Sequence, residues 1–307
     1  MRRMAWAVCA LVLFCTGAQA ATLNIGPGKR YAALSEAMKE AEPGDTLAIY
    51  PGQYFDCAFV SQPRLTIEGV GNAADVVLTD KTCGGKAILV VDQPNVTIRN
   101  LTLTRARVPD ENGAGIRMEG GTLNVIGVRF INNQDGILTA SGTNWTLNVT
   151  DSLFDHNGTC KRACAHGIYA GVIGLLRVRN STFRDTKEAH HIKSRALRTE
   201  ITGCTIEDGP DGTASYLIEE PNGGDLIVRG NTLEKGPHAT NTTAAIVIGS
   251  EGVDRPTPEI LVENNDFTND LGKQTAFVHN MSATEAVLRG NHLHGKVQAL
   301  DGDGSVK

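Results

Sequence analysis

The segment Glu188–Ala196 reads EAHHIKSRA and sets His190, His191, Lys193 and Arg195 within six positions of a chain whose formal net charge is −5. Side chains on a β-strand alternate between faces. The spacing therefore predicts His191, Lys193 and Arg195 on one face, with Ile192 and Ser194 on the other. Such a row is either a solvated edge or a site for something acidic. A lysine ordinarily titrates at about 10.4 and is protonated at neutral pH. Cations on both sides disfavour its charge, so Lys193 between Arg195 and His191 is a candidate proton acceptor. Tyr169 and His191 are the candidates for donating a proton back.

These side chains need elements that bring them together, and internal repetition supplies them. Segments beginning at Val96, Leu123, Leu147, Leu176, Thr199, Leu226, Ile260 and Ala286 share one pattern. A period-two apolar strand is followed by a small or polar bend, one large apolar residue and a polar turn. The large residues are Leu103, Phe130, Phe154, Phe183, Ile206, Leu233, Phe267 and Leu293, at intervals of 27, 24, 29, 23, 27, 34 and 26 residues. A second column runs through GIRM, GILT, GIYA, HIKS, AIVI and AFVH, beginning at Gly115, Gly136, Gly167, His191, Ala245 and Ala276. A short strand with one apolar face cannot bury it alone, whereas stacking each strand on its equivalent one turn later builds continuous internal ladders. The expected fold is all-β, a single-domain right-handed parallel β-helix of eight or more coils. No segment in the repeats carries the 3.6-residue period of a helical solenoid.

Aligning the second column on Ile116, Ile137, Ile168 and Ile192 puts Arg117, Leu138, Tyr169 and Lys193 in one outward row, with Tyr169 about 4.8 Å from Lys193 in backbone spacing. His166 falls at the turn entering the Tyr169 strand. The next coil, SYLIEEP from Ser215, fits two phases. With Leu217 inward, the preferred phase, Tyr216 neighbours His191 and Glu220 neighbours Arg195. With Ile218 inward, Glu219 neighbours Lys193. A slip of one residue exchanges every outward side chain.

The remaining chain sets boundaries. Residues 1–20 carry two arginines, an apolar run and Ala18-Gln19-Ala20, the pattern of a secretory signal peptide, so the protein is expected to be secreted or periplasmic with no membrane span. Residues 21–45 hold an amphipathic segment, Tyr31, Leu34, Ala37, Met38 and Ala41 on one face, read as a capping helix. The β-helix is expected over 46–300 and a flexible tail over 301–307. Export permits disulfides, and the expected pairs are Cys57–Cys83, both beside turn-like segments, and Cys160–Cys164, bracketing the loop CKRAC, with Cys204 free and buried. No metal site is expected from the cysteines, and no cofactor. Calcium on Asp208, Asp211, Glu219 and Glu220 is the alternative. Aromatic residues make up only 5% of the chain, too few for nucleic-acid stacking.

The opening YAALSEAMKEAEPGDTLAIYPGQY from Tyr31, the LTIEG from Leu65 and the recurring GI…N.F..N units resemble the pectate-lyase-like β-helix superfamily over most of residues 22–300. The resemblance implies the fold. That superfamily includes lyases, hydrolases, esterases, epimerases and non-catalytic proteins, so activity has to come from the site. IKSR at 192–195 is similar to the Lys-Ser strand of alginate lyases and chondroitinase B, in which the lysine is the base; that family continues with an arginine on the next coil, where this chain has Tyr216 and Glu220. The order QDG, HG, HIK at Gln134, His166 and His191 is similar to polygalacturonase motifs, but the paired aspartates of inverting hydrolysis are missing. The expectation is a monomer acting on an acidic, uronate-containing polysaccharide by β-elimination or C5 epimerisation. Lys193, Arg195, His191 and Tyr169 would be catalytic, and His166, Arg117, Tyr216 and Glu220 substrate-binding. A non-catalytic glycan-binding or envelope protein is the alternative.

Overall fold

The computed structural model describes residues 20–307. Residues 1–19 of the expected signal peptide lie outside the described residues.

Each coil follows one recipe, shown by Thr122–Ile126, Arg129–Ile131 and Asp135–Thr139. These three strands belong to three separate sheets, of twelve, ten and ten strands, in which every coil pairs in parallel with the coils before and after it. The result is a right-handed parallel β-helix. The bend between the first and second strands is fixed by residue type. Asn100, Gly127, Asp151, Asn180, Gly203, Gly230, Asn264 and Gly290 occupy equivalent positions, all with φ between 49° and 65°. Only glycine enters that left-handed region freely, and Asn and Asp enter it through local side-chain hydrogen bonds. The small or polar bend of the sequence repeat is therefore a backbone requirement.

Three residues after each bend, the large apolar residue points inward. Leu103, Phe130, Phe154, Phe183, Ile206, Leu233, Phe267 and Leu293 pair consecutively in one unbroken ladder. The rings of Phe130, Phe154 and Phe183 stack with centroids 4.6 and 4.3 Å apart. Between bend and ladder a polar column satisfies the corner. Asn231, Asn265 and Asn291 each accept, through Oδ1, the backbone N–H of the preceding coil's equivalent residue, at 2.8, 3.0 and 3.0 Å. Buried N–H groups need such acceptors. The first of those donors is Cys204, the free and buried cysteine.

The N-terminal lid buries the expected face, Tyr31, Leu34, Ala37, Met38 and Ala41. Its regular helix is shorter than expected, Leu34–Ala37 alone, because Tyr31 is drawn into a bridge with Ile25 and its carbonyl accepts the Gly26 N–H. Gly304–Val306 pairs in parallel with Ala286–Leu288, whose outer edge would otherwise have unpaired backbone groups. Disulfides join Cys57 to Cys83 and Cys160 to Cys164, with Cα separations of 5.5 and 4.0 Å. Among the described residues no helix is long and apolar enough to cross a membrane.

Candidate functional site

The cationic row lies on the outward face of the third sheet, on the consecutive strands Ile168–Ala170, Ile192–Ser194 and Ile218–Glu220. Tyr169 pairs with Lys193, as the repeat alignment requires. The next coil takes the other phase. Ile218 pairs with Ile192 and Glu219 with Lys193. Leu217 and Ile218 are both fully buried, so the apolar pattern there has no unique phase.

That phase corrects Glu220. It points inward and is fully buried, on the opposite side of the strand from the outward row. Its carboxyl oxygens make no well-formed hydrogen bond. Burial pushes its pKa well above the usual carboxylate range, although the hydroxyls of Ser194 and Thr199 offset part of that. His191 is corrected as well. It sits at the corner before the strand, where alternation no longer holds, and its ring is fully buried. Its Nδ1 is 2.9 Å from Thr186 Oγ1 and its Nε2 is 2.9 Å from Asp208 Oδ1. The ring braces two turns and has no free nitrogen for proton transfer to a substrate.

Lys193 is not a bare cation. Its Nζ is 2.8 Å from Glu219 and 2.7 Å from Glu251. Burial by itself would lower the ammonium pKa, but the two carboxylates outweigh it and hold the group above the ordinary lysine value. The lowered pKa that a lysine base requires is thus reversed. Arg195 donates through Nε to Tyr169 Oη at 3.0 Å and through Nη2 to Glu251 at 2.7 Å, and a further donor, Nη1, meets Asn222 Oδ1. Arg255 closes the corner behind it by donating to the Arg195 carbonyl.

Three aromatic rings form a column beside these charges. His190 stacks between His166 and Tyr216, with centroids 4.9 and 5.2 Å away, and His166 meets Tyr169 edge-on at 5.1 Å. Backbone N–H groups of His190 and Tyr216 donate to Nδ1 of His166 and of His190, each at 3.2 Å. Each ring is therefore fixed with Nδ1 accepting, and His190 reaches Glu219 at 3.0 Å with its other nitrogen. Desolvation, reinforced by the neighbouring cations, pushes the His166 pKa well below the ordinary value and keeps the ring neutral. Tyr216 lies beside His190, one position from where the preferred phase had placed it.

Tyr169 and Arg195 open onto a cleft of about 380 Å³, lined also by Arg117, Asp135, Asn112, Thr139 and Ser141. The loop closed by the Cys160–Cys164 disulfide contributes Ala163 and Cys164 to its wall. A second hollow of about 280 Å³ adjoins it, sharing Asn112 and Arg117 and reaching Lys86. Together they cross five adjacent strands, about 19 Å at the usual strand spacing. Arg117 lies 3.4 Å from Glu119, which also pairs with Lys86. The Asp135 carboxyl accepts the His166 N–H at 2.6 Å, and burial pushes its pKa well above the ordinary range. A neutral carboxyl there can donate a hydrogen bond. His166 is buried behind Tyr169 and does not line the cleft, and neither does Lys193.

Sequence reasoning missed Glu251, His190, Asn222 and Asp135. The only signal for Glu251 is the longest repeat interval, 34 residues, which contains its loop. The calcium alternative does not assemble. Asp208 and Glu220 are buried, and Glu219 is committed to Lys193 and His190. Among the described residues, Asp155, His156 and Asp185 bring possible metal-ligand atoms within 4.8 Å of one another, but Asp155 already pairs with Arg184 at 2.6 Å.

No family model matches the chain, and no curated protein matches it. Among solved structures it is similar to an alginate lyase from Paenibacillus sp. str. FPU-7, at 15% identity over 93% of this chain and 99% of that one, with a TM-score of 0.57. It is also similar to ORF18 of Geobacillus virus E2, at 12% identity and a TM-score of 0.53, over 84% of this chain and 52% of that one. At these identities the likeness shows the fold alone, in agreement with the right-handed parallel β-helix.

Proposed function

We propose that this is an exported carbohydrate-active protein whose cleft binds an acidic, uronate-containing polysaccharide and moves the proton next to the uronate carboxylate, by β-elimination or C5 epimerisation. The observation that carries the reading is the Tyr169 phenol under the Arg195 guanidinium at the cleft floor, with Arg117 on the same row. A cation on the carboxylate makes the neighbouring C–H acidic. Because Tyr169 Oη accepts from Arg195, its own proton is free for donation outward, and negative charge developing on that oxygen faces a fixed positive charge. Lysis follows when water in the cleft takes the proton beside the carboxylate, the glycosidic C–O bond breaks and Tyr169 protonates the departing oxygen, its own proton being restored from solvent. Epimerisation follows when a proton returns to the opposite face. Lys193, held charged by two carboxylates, acts in this reading as an electrostatic support and not as the base. The fold likeness to a chain named as an alginate lyase supports the substrate class, and two disulfides support export.

The test is incubation of the mature protein with alginate, pectate and glycosaminoglycans, with and without calcium. Unsaturated product is followed by ultraviolet absorbance, and epimerisation by deuterium exchange from solvent. Tyr169→Phe should lower the rate at least about 100-fold. Neither product nor exchange on any acidic glycan defeats the catalytic reading. A second reading, a non-catalytic glycan binder, is favoured by one observation: Lys86, Arg117, Lys193 and Arg195 each already have a carboxylate neighbour. Retention on immobilised polyuronate without turnover would select it.

A further inference from the structure

The loop after Ala244–Ile248 folds back over the third sheet and lays one carboxylate across two cations. Glu251 Oε1 is 2.7 Å from Lys193 Nζ, and Glu251 Oε2 is 2.7 Å from Arg195 Nη2. One oxygen goes to each cation, as a free carboxylate bridging them would place its own. The exposures are unequal. The Glu251 side chain is 44% exposed, against 11% for Lys193 and 20% for Arg195.

Neither cation needs Glu251 to stay in place. Lys193 keeps Glu219, and Arg195 keeps Tyr169 and Asn222. The loop does not need the side chain either. Its backbone is held by Gly249 N–H on the Glu220 carbonyl at 2.8 Å, Glu251 N–H on the Pro221 carbonyl at 2.9 Å, and Asn222 Nδ2 on the Gly252 carbonyl at 3.2 Å. The Glu251 side chain can therefore rotate into solvent while everything around it remains. Arg195 also lines the cleft, so the arginine end of the bridged pair borders it, with Lys193 two residues behind along the chain.

We propose that Lys193 and Arg195 form a subsite for the carboxylate of one uronate residue, and that Glu251 occupies it as an internal surrogate which the ligand displaces. This rests on the polyuronate reading for its ligand and adds where one carboxylate sits and what competes with it. The exchange is like for like, one carboxylate replacing another. The partly buried cations are thus never left bare, the state that costs most. A methyl-esterified uronate or a neutral sugar lacks the charge for the exchange and leaves Glu251 in place. The subsite thereby selects free uronates.

Glu251→Ala and Glu251→Gln are compared with wild type by calorimetric titration with glucuronate and galacturonate, and with their methyl esters. Melting temperatures confirm that each variant is folded. Removing a competitor that holds the site most of the time raises apparent affinity by the inverse of the free fraction, and about tenfold is expected for Glu251→Ala. Adding Arg195→Ala to Glu251→Ala should abolish the gain, and the esters should show none. Equal or weaker uronate binding by folded Glu251 variants, or none at all, overturns the proposal. The chemistry fails separately. Tighter uronate binding by the variants with no turnover by wild type leaves the subsite standing and removes the lyase and epimerase. Turnover by wild type with no gain in the variants does the reverse.

Discussion

Replacing Lys193 with methionine tests whether its ammonium is a structural charge or a free amine. Glu219 is 4% exposed, and its carboxylate receives Lys193 at 2.8 Å, His190 at 3.0 Å and Ser250 at 2.6 Å. Burial alone would raise the Glu219 pKa, but those partners hold it far below the usual carboxylate range. Breaking a buried pair from one side costs about 3–5 kcal/mol because the other charge stays behind. Here His190 and Ser250 remain, so about 2–3 kcal/mol is expected, read by urea denaturation with Trp145 fluorescence as reporter. The pH dependence has a definite sign. A carboxylate whose folded pKa is depressed contributes stability that is full above its unfolded pKa of about 4.3 and is lost as pH falls through the folded value. The gap between wild type and Lys193→Met should therefore be full at pH 7 and close as Glu219 is neutralised in acid. A gap below about 0.5 kcal/mol at pH 7, unchanged at pH 4, would mean a solvated lysine. The role of a proton-accepting amine would then return to it.

Two further outcomes test the scaffold. Phe154→Ala removes the middle ring of the Phe130–Phe154–Phe183 stack and should cost about 3–5 kcal/mol in the same denaturation, more than truncation of an end ring. Replacing Cys57 and Cys83 together by serine opens a loop spanning a sequence separation of 26, which should lower stability by about 3.5 kcal/mol relative to the oxidised wild type and leave the reduced proteins equal.

The ladder from Leu103 to Leu293 was legible in every coil because two local requirements coincide. A left-handed bend admits few residue types, and the third residue after it must be apolar. Where only one requirement acts, the reading slips. At SYLIEEP two adjacent apolar residues, Leu217 and Ile218, are both buried, so hydrophobicity does not choose between phases and the face of Glu220 does not follow from the pattern. At His191 alternation does not apply, because the residue precedes the strand and sits in a corner where the ring turns inward to Asp208. The tail at 301–307 has little apolar character, and its place beside Ala286–Leu288 comes from backbone pairing, which composition does not record.

The candidate site raises a different difficulty, one that follows from the coiled topology itself. Residues adjacent in a strand are neighbours, but so are residues a full coil apart, and along the ladder from Leu103 to Leu293 a coil is 23 to 34 residues long. Read along the sequence, Lys193 and Arg195 look like concentrated positive charge. Read across the coils, Glu219 lies one strand away, and Glu251 is 58 residues from Lys193 and 56 from Arg195 yet bonded to both. A charge count over any short window of a solenoid therefore misjudges the local field, because each strand is flanked by strands of the coils before and after it. The quantity that decides whether Lys193 can take a proton is the sum over its column and the loop above it, and that sum holds the ammonium charged. The surroundings of Tyr169 are different. Its column neighbours are Leu138 and Lys193, and its hydrogen-bond partner is Arg195, so no carboxylate is paired to it. Of the polar side chains in this row, the phenol is the one with a cation and no carboxylate beside it, and the proposed proton chemistry rests on that geometry.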